Sequence, residues 1–388
     1  MPRLLDIFLS FLRLGTTSFG GPVAHIAYFQ REFVERRKWL DDETFAQCVT
    51  VTQLLPGPGS SQTGMLVGWL RAGPAGAAAA WLGFTLPSSL IMAALALELP
   101  HLNLHAGWLH GLLVVAVAVV ASAILTMQRS LAPDITRLAI AVAVLALVLF
   151  VPAGVIDPLA IALAALAGVA LLRGRVKTAS ATLDLGVSRR AGAAALVLFA
   201  LAFVALGMWS ASGSPGGGLA NTLFRVGALV FGGGHVVLPL LQTQVAQAGI
   251  VDSQTVLAGY ASAQAMPGPL FTIASYVGAS AYGRSLGWSG ALLGTVAIFA
   301  PSFFLIPGVA PFYRMLGESS GFRAALAGAN AGVVGLLAAA FVTPIVPSAI
   351  HTWVDALVAV AAFAALYFAK APAWAIVIAS ALIGALVL

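Results

Sequence analysis

Residues 11–29 read FLRLGTTSFGGPVAHIAYF and residues 50–61 read TVTQLLPGPGSS. The pattern returns at 223–241, LFRVGALVFGGGHVVLPLL, and at 261–272, ASAQAMPGPLFT. Arg13 matches Arg225, Gly15 matches Gly227 and Phe19-Gly20-Gly21 matches Phe231-Gly232-Gly233, all at a spacing of 212. Gln53 matches Gln264 and Pro56-Gly57-Pro58 matches Pro267-Gly268-Pro269, at 211. A helix interior loses about 1 kcal/mol to glycine and about 3 to proline. Each of the four stretches therefore reads as a broken apolar helix, and the chain as two copies of one unit.

The surrounding composition fixes the class. Of 388 residues, 60% are hydrophobic and only 8% charged, against about 25% charged in an average soluble domain. Nearly uncharged runs of 18 or more residues recur throughout, the mark of an all-α polytopic membrane protein. The alternating segments of a β-barrel are missing. The net charge of +6 comes from cations at the ends of apolar segments, where they set topology, so nucleic acid is not an expected partner. Cys48 is the single cysteine, which leaves no disulfide framework. His101, His105 and His110 cover two helical faces without a cysteine partner, so no metal is expected. No phosphate-binding loop and no nucleophile with a base at motif spacing occurs, so neither an enzyme nor a cofactor is expected.

Three parts follow: a first transmembrane repeat over 1–172, a basic linker with an extra helix over 173–211, and a second repeat over 212–388. The expected segments are 4–30, 44–70, 74–99, 105–128, 135–151 and 156–172. After the extra helix, 191–211, come 219–241, 254–283, 287–311, 322–343, 352–369 and 371–388. Arg31, Arg36, Arg37 and Lys38 follow the first broken segment, whereas the loop after its echo, 242–254, has no Lys or Arg. The positive-inside rule places corresponding loops of the two halves on opposite faces, the inverted-repeat arrangement of secondary transporters. Re-entry of the broken segments fits the loop charges better than full spans. Either version puts the N-terminus in the cytoplasm and the C-terminus outside a bacterial inner membrane.

The breaks carry the candidate chemistry. Backbone freed in hydrocarbon must be satisfied by protein or line a cavity, and free N–H groups at a helix start attract anions. Gly20 and Gly21, beside Pro22, and Gly232, Gly233 and Gly234 in the echo are candidate binding positions on that ground. Pro56, Pro58, Pro267 and Pro269 break the helix and remove donors. The bends would then rely on the N–H groups of Gly57 and Gly268, with Ser60 and Ser61 beside them. Close helix packing through small residues is the competing reading. Gln53 and Gln264 would orient a ligand or tie two helices together. Arg13 and Arg225 lie in apolar surroundings, where a charge is by default functional. Their planar forks suit oxyanions; snorkelling to the interface is the alternative.

Phe19-Gly-Gly-Pro, the loop Arg31–Leu40 (REFVERRKWL) and Gln53-Leu-Leu-Pro-Gly-Pro, with the Phe231-Gly-Gly-Gly-His and Met266-Pro-Gly-Pro echoes, resemble the chromate ion transporter family in its long, two-domain form. The resemblance covers nearly the whole chain. It implies export of chromate from the bacterial cytoplasm and chromate resistance, with sulfate, the tetrahedral isostere, as competitor or alternative substrate. The partners are then chromate or sulfate and the lipid bilayer. Oligomeric state is open, a homodimer included. A non-transporting membrane scaffold is the alternative from another class.

Overall fold

The computed structural model describes residues 2–98, 107–151, 156–176, 183–231, 234 and 237–387. Every regular element among the described residues is helical. The first half contains α1 (Pro2–Thr17), α2 (Gly21–Gln30), α3 (Asp42–Thr52), α4 (Gly59–Glu98), α5 (Gly107–Leu131), α6 (Ile135–Phe150) and α7 (Ile156–Leu172), followed by α8 (Arg189–Ala211). The second contains α9 (Pro215–Leu229), α10 (Val237–Gln247), α11 (Ser253–Ala265), α12 (Ile273–Arg284), α13 (Gly287–Val309), α14 (Tyr313–Glu318), α15 (Ser320–Ala340), α16 (Val346–Ala349), α17 (Trp353–Tyr367) and α18 (Ala373–Val387). Among the described residues, α4, α5, α8 and the runs Gly287–Glu318 and Ser320–Ala349 are long and apolar enough to cross a membrane.

The helices break at the glycines and prolines. α1 ends at Thr17, and Gly20, at φ +102°, caps α2. At 1.5 Å per residue, the 16 residues of α1 reach about 24 Å and the 10 of α2 about 15 Å, each short of a hydrocarbon core of about 30 Å. The third helix of each half starts the same way. The Asp41 carboxylate accepts the Thr44 N–H at 2.7 Å before α3, and the Asp252 carboxylate accepts the Thr255 N–H at 2.7 Å before α11. Both are N-caps that satisfy otherwise orphaned donors.

Small residues then fold the chain back. α4 leaves helical geometry at Ala72-Gly73, which lays Gly68 against Gly76, with no room for a Cβ at either. In the echo a turn at Ala281–Gly283 lays Gly278 against Gly290 in the same manner. Within the halves, α1 packs on α4 and α9 on α13. Between them the partners are exchanged: α6 and α7 pack on α15, while α17 and α18 pack on α5. Gly168 of α7 lies against Ala324 and Gly328, and Gly332 faces Ala164, so α7 and α15 run antiparallel. The extra helix, α8, packs on α9 and α13 and turns Val197, Leu201, Val204 and Met208 outward, as a lipid-facing helix does.

Candidate functional site

The four breaks meet. The Gly57 N–H donates to the Val230 carbonyl at 2.7 Å, and the Gly268 N–H donates to the Ser18 carbonyl at 2.9 Å. Ser18 and Val230 immediately precede the two Phe-Gly-Gly motifs and are themselves 212 apart. Each proline bend is therefore pinned by the glycine break of the other half. Gly57 sits at φ +121° and Gly268 at φ +91°, a region open to glycine and strained for other residues. Gly234 completes the junction: a Cβ there would lie 3.3 Å from Pro22 and 3.5 Å from Leu270. This geometry corrects one expectation. The Gly57 and Gly268 amides are committed to carbonyls and are not donors free for a ligand.

Two cavities flank the junction. The larger, about 500 Å³, is lined by Pro22, Val23, Gln53, Gly57, Gly59 and Ser60 from the breaks, and by Arg137, Arg323 and Asn330. The N-terminal ends of α2 and α4 open on it, with the positive end of each helix dipole. Among the described residues no acidic residue lines it. The smaller, about 180 Å³, is lined by Gly20, Gly21, Gln264 and Gly268 with Ser122 and Thr126. Pro22 borders both.

Buried polar groups stiffen the walls. The His25 Nδ1 lies 3.2 Å from the Ser60 hydroxyl. The Gln62 amide donates to the Pro56 carbonyl at 2.7 Å and to Ser302 of α13 at 3.1 Å, a second tie between halves. Ser61 is buried without a hydrogen-bond partner for its hydroxyl and borders neither cavity. Gly232, Gly233 and His235 lie outside the described residues.

Arg13 and Arg225 are not where the sequence reading put them. Both are exposed on the outside of the bundle and line neither cavity. Arg225 bonds Asn221 at 3.1 Å and lies over the Phe203 ring of α8. The cations that do line the larger cavity, Arg137 and Arg323, read in the sequence only as topology signals. A local sign was available. Each stands in the first turn of its helix, just after the N-caps Asp134 and Ser319, where the dipole disfavours a cation. Arg137 keeps Asp134 at 3.2 Å. No carboxylate among the described residues lies within ion-pair distance of Arg323.

The histidine reading needs similar adjustment. His101 and His105 lie outside the described residues. His110 pairs with Asp355 at 2.8 Å and stacks on His351. That group escaped the sequence reading because Asp355 and His351 come from the other half. The Asp355 carboxylate also accepts the His351 and Thr352 N–H groups as the capping box of α17, which accounts for it as a helix start.

Fold and junction together define an all-α, multi-pass membrane protein whose halves interlock at four helix breaks. Comparison with known proteins sharpens this. The profile described as "Chromate transporter" matches residues 5–170 and again 217–385, so the chain belongs to the chromate transporter family. It is 29% identical over 347 residues to an uncharacterized transporter of Methanocaldococcus jannaschii, covering 87% of this chain and 83% of that one. It is 29% identical over 354 residues to the chromate transport protein of Pseudomonas aeruginosa, covering 86% and 79%. To a probable chromate transport protein of Synechococcus elongatus it is 27% identical over 343 residues, covering 86% and 82%. No solved structure matches the chain.

Proposed function

We propose that the chain is a secondary transporter that exports chromate from the cytoplasm, binding the dianion in the larger cavity. The observation that carries this is a cavity of about 500 Å³ lined by two arginines and two helix N-termini and, among the described residues, by no acid. Arg323 and Arg137 would neutralise the dianion. Ser60, Gln53 and Asn330 would meet its oxygens, and the first free amides of α2 and α4 would take the place of those of Gly57 and Gly268. Arg13 and Arg225 then act outside the binding step. The arginine-bearing ends of α6 and α15 lie on the cytoplasmic face by the charge rule, so the cavity is an inward-open vestibule. The two halves, inverted relative to each other, would rock about the crossed Gly57–Val230 and Gly268–Ser18 bonds to give alternating access.

The driving force is sufficient. One charge moving through 100 mV is worth about 2.3 kcal/mol, so a dianion leaving a negative interior gains about 4.6 kcal/mol. That sustains a gradient above about a thousandfold, at about 1.4 kcal/mol per factor of ten. Flux of labelled chromate and of labelled sulfate into inverted inner-membrane vesicles, with and without an imposed potential, tests the reading. Chromate uptake that grows with an interior-positive potential is expected. Sulfate uptake with chromate excluded would reassign the substrate, and no flux of either would overturn transport.

A further inference from the structure

A third cavity, about 460 Å³, opens at the other end of the bundle and carries different chemistry. It is bordered by Asp157 in the first turn of α7, by Gln242 and Thr243 of α10, and by Ser253 and Thr343. Asp157 is 2% exposed and Gln242 3%. The Asp157 Oδ1 and the Gln242 Oε1 are sealed from solvent, and neither has a hydrogen-bond donor among the described residues. The Gln242 amide nitrogen is already used, donating to the Ser253 carbonyl at 3.1 Å. Thr243 faces the Asp157 carboxyl, but its hydroxyl donates to the Pro239 carbonyl at 3.0 Å.

The hydrogen-bond accounting fails for an ionised Asp157. A carboxylate only accepts, and Thr243 has one hydrogen for two acceptors. With a proton on Asp157 both bonds form, the acid O–H donating to the Thr243 oxygen and the Thr243 O–H to Pro239. No Lys, Arg or His among the described residues lines the cavity to pair a buried charge, and an unpaired buried charge is disfavoured. The charged groups of the surrounding elements are elsewhere. Arg137 of α6 and Arg323 of α15 line the first cavity, at the far ends of their helices; α10 and the segment 341–345 have none; Asp252 caps α11 exposed at the rim. The dipole of α7 favours an anion at its start, yet Oδ1 still receives no donor. A water or a sodium ion needs room at the oxygen, and a sealed Oδ1 offers none. A proton needs no volume.

We propose that Asp157 is a proton-binding site, holding its proton at neutral pH against α10 and releasing it to water in this cavity when α7 and α10 part. Its use in coupling, proton entry against chromate exit, rests on the transporter reading above; the protonation itself does not. Infrared spectroscopy of the purified full-length protein at neutral pH tests the protonation. The carbonyl band of a protonated carboxyl should be present in the native chain, shift in deuterated water, and be missing from Asp157→Asn. Alkaline titration of the native chain alone keeps the test open if that variant misfolds, since the band should be present at neutral pH and fade reversibly as pH is raised. No such band, or one unchanged in Asp157→Asn, overturns the site, as does a band that sodium removes at constant pH. Proteoliposomes with a trapped pH dye test the coupling. The native chain should move protons with chromate, and Asp157→Asn should move chromate without them. Chromate flux in the native chain without proton movement overturns coupling alone, and no chromate flux overturns the transport reading while leaving the infrared result to decide the site.

Discussion

The cavity lined by Arg137 and Arg323 and the cavity lined by Asp157 lie at opposite ends of the same helices. On α6, Arg137 stands in the first turn while Val148 and Leu149 border the far cavity; on α15, Arg323 stands in the first turn and Thr343 lies just past the end. From Arg323 to Ala340, the end of α15, the helix rises about 26 Å at 1.5 Å per residue, most of the thickness of the hydrocarbon core, and Thr343 lies just beyond. One end is lined by two cations, Arg137 with Asp134 beside it and Arg323 with no carboxylate at ion-pair distance among the described residues. The other is lined by a buried acid and uncharged polar side chains, with no cation among the described residues. A shared scaffold thus carries unlike charge at its two faces, and the contrast comes from a few side chains at the helix ends.

The hardest test of that contrast is removal of the cations. A hydrogen bond to a charged group is worth about 1.5–3 kcal/mol. Arg137→Gln and Arg323→Gln should each raise the chromate KM about ten- to a hundredfold, and the double variant further, with insertion into the membrane unchanged. Arg13→Gln and Arg225→Gln, on the exposed surface, should stay within about threefold. Initial rates in inverted vesicles, normalised to protein level, check the ranking. The opposite order would return the site to the repeated arginines and dissolve the contrast between the two ends.

A middle-sized effect tests the junction that holds both ends in one body. A side chain at Gly57 or Gly268 would sit in a backbone region costing about 1–3 kcal/mol. The surroundings then separate the two. The Cβ of Gly57→Ala would meet the Gln62 amide nitrogen at 2.5 Å and Ser302 Oγ at 3.2 Å, both side-chain atoms able to give way. That of Gly268→Ala would meet Ser88 Oγ at 2.9 Å and the backbone carbonyls of Gly15 and Phe84 at 3.2 Å. Gly268→Ala should therefore lower the melting temperature in detergent more than Gly57→Ala. Equal losses would mean that the two crossings bear the same load, despite their different neighbours.

These residues also show what was legible in the sequence. The breaks were, because the penalty of glycine and proline in a helix is local: α1 stops at Thr17, α3 at Thr52 and α11 at Ala265, each just before its motif. The extra helix and the 156–172 segment were legible through length and apolarity alone. The direction in which a side chain points was not. Arg13 and Arg225 repeat faithfully yet face outward, because the repeat preserves the packing of α1 on α4 and α9 on α13, with Gly15 and Gly227 at the contacts. Arg137 and Arg323 face inward only because α6 of one half packs on α15 of the other. Asp157 becomes a buried acid by the same exchange. Contacts between halves leave no local mark, and the charged side chains that line both cavities are brought there by them.

The smallest effect separates structural cations from site cations. Arg36 and Arg37 each lie 2.6 Å from the Glu32 carboxylate, and Arg37 also reaches Asp6 at 2.7 Å. Burial pushes the Glu32 carboxyl up, but the hydrogen bonds from Arg36 and Arg37 outweigh it and hold the group below its ordinary value. A carboxyl lowered in the folded state contributes stability that is fully present above its unfolded value, about 4.3, and is lost as pH falls through the folded value. Glu32→Gln should therefore lower the melting temperature at neutral pH, by the equivalent of about 1 kcal/mol, since Glu32 is nearly buried but Arg36 stands half-exposed and Arg37 keeps Asp6, and the difference should vanish in acid. Its chromate KM should match the native value, because these charges are already paired with one another and border neither cavity beside the junction. A KM shift as large as that of Arg323→Gln would mean that the loop's net charge sets affinity, and lining the cavity would then cease to single out the cations proposed to meet the anion.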